Sequence, residues 1–81
     1  MTDLAAGWTE DWGDTWTKTE PGKPGRPDLL LHVFPDPDSK KEPWTWEVLA
    51  LEDGAEREVA VGGDVTREAA MTSAVAVAYG E

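Results

Sequence analysis

Apolar and polar residues alternate most regularly over "WTWEVLALE" (44–52), where Trp44, Trp46, Val48 and Ala50 take one side and Thr45, Glu47, Leu49 and Leu51 the other. That period of two predicts a strand. Asp53-Gly54 follows with two residue types that tolerate the positive φ angles of a type I′ turn, and "REVAVGG" (57–63) reads as the returning strand of a hairpin. In the register this suggests, Val59 and Val61 cover the same layer as the Trp44–Ala50 face, although a slip of one residue would reverse them. An earlier run, "DLLLHVF" (28–34), is bounded by Pro27 and Pro35 and is also predicted to be a strand. Leu29, Leu31 and Val33 point one way along it and Leu30, His32 and Phe34 the other. The intervening "PDPDSKKEP" (35–43) carries three prolines and is expected to be a polar loop.

From Thr66 the period changes. "TREAAMTSAVAVAYG" (66–80) predicts a helix with Thr66 as N-cap, Glu68 in the first turn and Gly80 at the stop. Ala70, Met71, Ala74, Val77 and Ala78 then share one face, and their small size allows close approach to a sheet. The terminal "AVAVAY" also alternates as a strand would, with Val75, Val77 and Tyr79 on one side, but a capped, Ala-rich segment favours helix.

The expected class is therefore α+β: a small antiparallel three-stranded sheet with one C-terminal helix on one face. Residues 28–81 would form this β-β-β-α domain, and residues 1–27 a Trp-rich acidic N-terminal arm followed by the Pro/Gly linker "KTEPGKPGRP" (18–27). One helix covers only one face, yet Leu30, Phe34, Leu49 and Leu51 make the other apolar as well. An uncovered patch of that kind is rare on a soluble monomer, so something is expected to lie over it. The arm is the nearest candidate, since "GWTEDWGDTW" (7–16) spaces Trp8, Trp12 and Trp16 four residues apart without a single Lys or Arg. It would fold over the sheet as an extended or irregular arm, forming a fourth, edge strand. Its tryptophans could be core residues that compensate for a thin core, exposed anchors for a partner, or part of an arm that orders on binding.

Composition narrows the functional classes. The 81 residues carry 17 Asp and Glu against 7 Lys and Arg, a formal net charge of −10. Twelve of those acids and four of the bases fall in 28–81, so the predicted domain is the acidic part. Such a field repels phosphate backbones and anionic head groups and attracts basic proteins, which argues against direct nucleic-acid or membrane-surface binding. A small domain can equally be acidic for solubility alone. No run approaches the roughly 20 apolar residues of a membrane span and no secretory leader is recognisable, so a cytoplasmic location is expected. The absence of Cys removes disulfides, thiol catalysis and thiolate metal sites together. Ile, Asn and Gln are also absent while Ala, Gly, Pro and Arg are frequent, a codon bias suggesting a high-GC bacterium or one of its phages or mobile elements.

Catalytic chemistry is hard to assemble from what remains. His32, the single histidine, sits mid-strand between Leu31 and Val33, where a packed imidazole is expected rather than a catalytic one. Ser39 and Ser73 lack a nucleophile motif, and no glycine-rich strand-to-helix loop with a Lys is present. Asp36, Asp38 and Glu42 lie close together, but the prolines in and beside this segment and Lys40-Lys41 do not suit a calcium loop. No enzyme activity, cofactor or metal is therefore expected.

The remaining expectation is a small non-enzymatic protein-protein interaction module, a regulator or inhibitor that meets another protein through a basic or mixed surface. Trp8, Trp12 and Trp16 would be its apolar anchors, with Glu10, Asp11 and Asp14 steering the encounter. Two alternatives stay open: nucleic-acid mimicry, in which spread acids imitate a phosphate array and block a DNA- or RNA-binding protein, and a homodimeric structural domain.

Overall fold

Strands follow one another along the chain with only short connections, the condition under which neighbours pair antiparallel. In the computed structural model, which describes residues 7–11, 13–22 and 24–80, they are β1 (Thr9–Glu10), β2 (Trp16–Glu20), β3 (Asp28–Pro35), β4 (Trp44–Glu52) and β5 (Ala55–Asp64). They form one sheet in the order β1-β2-β3-β4-β5, and the helix α1 (Arg67–Gly80) packs on one face of it. The class is α+β, as expected, but the sheet has five strands rather than three with a fourth from the arm. Both additional strands come from residues 1–27: β2 includes Lys18–Glu20 of the expected linker and pairs with Leu29–Val33. The boundary drawn at residue 27 therefore falls within a continuous sheet.

Local chemistry explains the element ends. Asp53 (φ 51°) and Gly54 (φ 78°) make the tight β4–β5 turn. Thr66 caps α1, its Oγ1 accepting a hydrogen bond from the Ala69 amide at 3.1 Å. Ser73 Oγ donates to Asp64 Oδ2 at 2.7 Å and ties the helix to the end of β5. The alternating "AVAVAY" segment is helical.

The core lies between sheet and helix. Leu31, Val33 and Val48 are fully buried there against Ala70, Met71 and Ala74, with Ala78 at the helix end. Burying Leu31, Met71, Val33 and Val48 contributes about 1.5–3 kcal/mol each, an upper figure because the unfolded chain is already partly compact. Ala at three helix positions lets α1 sit close to the strands.

One irregularity changes a face. Val48 pairs with Ala60 but Leu49 pairs with Glu58, so Val59 is an extra residue in β5, a β-bulge. Side-chain alternation reverses beyond it. Val59 packs against the core as expected, whereas Val61 pairs with Glu47 on the far side and is 54% exposed. The expectation that Val59 and Val61 share a layer is corrected by that single residue.

Among the described residues no helix is long and apolar enough to cross a membrane.

Candidate interaction surface

The arm residues singled out in the sequence do not form one exposed group. Trp8 is only 8% exposed and joins the core cluster with Leu31, Val33 and Met71. Trp16 is half-buried, packed against that cluster, with the Arg67 guanidinium carbon 4.8 Å from its ring centroid. The register explains their direction: Trp16 pairs with Val33, whose side chain faces α1, so the indole faces α1 too. Trp8 and Trp16 therefore do not roof the second sheet face, as was expected of the arm; they fill the face the helix already covers. Glu10 and Asp11 are exposed in and beside β1, and the Asp11 amide donates to Thr15 O at 2.6 Å to close the β1–β2 turn. Asp14 is exposed in that turn at φ 63°, following Gly13 at φ 74°. Trp12 lies outside the described residues.

The face away from α1 keeps the character the strand pattern predicted. Leu30, Phe34 and Leu49 are half-buried on it, and Leu51 is 37% exposed. Val61 joins them because of the bulge. No other element of the described residues packs over this face. At its margin a Cβ at Gly63 would lie 3.1 Å from Glu42 Cβ in the preceding loop.

Charge on this face has one sign. By strand alternation and register, Asp28, Glu47, Glu56 and Glu58 belong to it, while Arg57 falls on the helix side. Its strands carry no Lys or Arg there. His32 is the basic group present: its Nδ1 lies 3.0 Å from Glu47 Oε1, and its ring centroid is 4.9 Å from that of Phe34. That arrangement holds the imidazole between an acid and an aromatic ring, as a cross-strand pair does. The sequence located Leu30, Phe34, Leu49 and Leu51, but neither the pairing of His32 with Glu47 nor the position of Val61, which depend on register.

The remaining polar candidates serve local structure. Asp36 Oδ1 accepts from the Asp38 amide at 3.1 Å and Ser39 Oγ from the Glu42 amide at 3.2 Å, so these side chains shape the 36–43 loop. Among the described residues no group of three His, Asp or Glu is placed to hold a metal ion. Beside the N-cap, the Glu68 carboxyl is held below its ordinary range, first by a backbone hydrogen bond and then by the Arg67 guanidinium.

No family model matches the chain, and neither a curated protein nor a solved structure matches it.

Proposed function

We propose that the chain is a non-catalytic protein-interaction module that docks, through the open face of its sheet, on a partner protein presenting Lys and Arg around an apolar centre. One observation carries this reading: an apolar strip that no element of the described residues covers, Leu30, Phe34, Leu49, Leu51 and Val61, shares its face with Asp28, Glu47, Glu56 and Glu58 and with no Lys or Arg of the strands. Apolar area supplies affinity, and carboxylates beside it select a basic surface and speed the encounter. The same carboxylates disfavour phosphate backbones, and they disfavour face-to-face pairing of two copies, which would bring like charges together. A module that works by occupying another protein's surface suits a regulator or inhibitor. The codon-biased composition fits a phage or mobile element of a high-GC bacterium.

The test is site-specific photo-crosslinking in such a bacterium, with the reactive residue at Val61 on the open face or at Thr72 on the exposed side of α1. The expected result is a defined crosslinked protein from position 61 and not from 72, with direct binding of that protein abolished by Glu47→Lys and Glu58→Lys together. Crosslinks from 72 alone, or only to a second copy of the chain, would overturn the reading. Affinity that collapses with salt and with charge reversals anywhere on the domain would support nucleic-acid mimicry instead.

A further inference from the structure

The space between sheet and helix is filled unevenly. Near the start of α1, the cross-strand row Trp16–Val33–Trp46–Gly62 contributes two indoles. At the other end the corresponding row is Glu20–Leu29–Ala50–Arg57, and α1 contributes Ala78. Ala50 and Ala78 are too small to complete the core there, and a cleft of about 160 Å³ remains, floored by Leu29, Ala50, Val59 and Ala78. That leaves room for one branched aliphatic side chain.

The walls are preformed. Pro21, Gly22, Arg26 and Pro27 make one of them, held by the Gly22 amide donating to Asp28 Oδ1 at 2.7 Å and by the close approach of Gly22 to the carbonyls of Arg26 and Pro27, which leaves no room for a Cβ. Tyr79, 66% exposed, stands on the other side. At the mouth are two guanidinium groups, Arg26 and Arg57, in a chain whose net charge is −10. Arg57 meets Glu52 Oε1 through Nε at 3.2 Å and Nη2 at 2.8 Å, using two of its five N–H donors. Glu20, the one acid lining the cleft, is neutralised by Lys18 at 3.0 Å. The apolar floor and the remaining N–H donors of Arg57 beside it match an apolar side chain with a carboxylate next to it.

We propose that this cleft binds the C-terminal residue of a polypeptide, a Leu-like side chain entering between Ala50 and Ala78 while the terminal carboxylate meets Arg57. A peptide terminus is favoured over a free small acid because the cleft is open at its mouth, where a preceding chain can run out past Tyr79. The site lies on the opposite side of the sheet from the open face, so each can fail without the other.

Amide NMR of the ¹⁵N-labelled protein tests it, with acetyl-Gly-Ser-Gly-Leu as free acid, the same peptide as carboxamide, and N-acetyl-leucine as probes. The expected result is saturable shifts at Leu29, Ala50 and Ala78 with the free-acid peptide, and binding about tenfold weaker for the carboxamide and for Arg57→Gln. Ala50→Leu, which fills the floor, should abolish binding; because that change can also strain the core, Arg57→Gln at an exposed position serves as the second variant. Equal binding of acid and carboxamide, or no shifts at those amides, would overturn the proposal. N-acetyl-leucine binding as tightly as the peptide would replace the peptide terminus with a small acid.

Discussion

The indole of Trp46 lies flat against Gly62 on the neighbouring strand: a Cβ at Gly62 would sit 2.5 Å from Trp46 Cζ2. The glycine is what allows so large a side chain to lie across β5 beneath the helix. Gly62→Ala is therefore expected to force the ring or the strand aside and cost about 1–3 kcal/mol. Gly63→Ala is the milder comparison, because a Cβ there would meet Glu42 Cβ at 3.1 Å, a contact relieved by a shift of a few tenths of an ångström, and it should cost less than Gly62→Ala. Urea unfolding monitored by tryptophan fluorescence measures both; equal losses would show that the indole does not occupy that position.

The bulge at Val59 makes two similar valines unequal. Val59→Ala removes two methyl groups from the edge of the core and should cost about 1.5 kcal/mol. Val61→Ala, on the open face, should fall within about 0.5 kcal/mol while weakening any partner bound there. Chemical denaturation of the two variants side by side checks the register, and a reversed order would place the bulge elsewhere.

Burial separates the tryptophans of the arm. Trp8→Ala empties part of the core and is expected to cost about 3–5 kcal/mol, a large share of the stability of so small a domain. Trp16→Phe keeps most of the packing and removes an Nε1 that is buried without a hydrogen-bond partner, so the loss should stay below about 1.5 kcal/mol. Thermal unfolding distinguishes them. A Trp8→Ala variant as stable as the parent would mean that the side chain is not part of the core.

The start of α1 combines a cap with a titrating acid. Thr66→Ala should cost about 1 kcal/mol by leaving the Ala69 amide without its acceptor. Glu68 has a depressed pKa in the folded state, so its stabilising contribution is present above the ordinary value of 4.5 and is lost as the pH falls through the lower folded value. Carboxyl NMR titration should place its midpoint below 4.5 and move it upward in Arg67→Gln. A midpoint indifferent to that change would remove the guanidinium as a cause.

Local pattern was enough for β3, β4, the Asp53-Gly54 turn and the capped helix, since each depends on residues adjacent in the chain: alternation, two turn residues, a threonine before a run of helix formers. The second apolar face was legible for the same reason, as Leu30, Phe34, Leu49 and Leu51 follow from period two alone. Trp16–Glu20 was less legible because its five residues, two of them Thr, carry little apolar alternation; what makes them a strand is the edge of β3 beside them.

By itself, then, the sequence determined the class of fold, the helix with its cap, the apolar character of both sheet faces and the excess of carboxylates. Tertiary structure alone decided that Trp8 and Trp16 turn toward the helix, that one extra residue in β5 sends Val61 to the open side, and that the core ends in an Ala-lined cleft beside Arg57. The reason is that these three depend on cross-strand register and on the volume left between packed elements, and neither quantity is a property of any short stretch of chain.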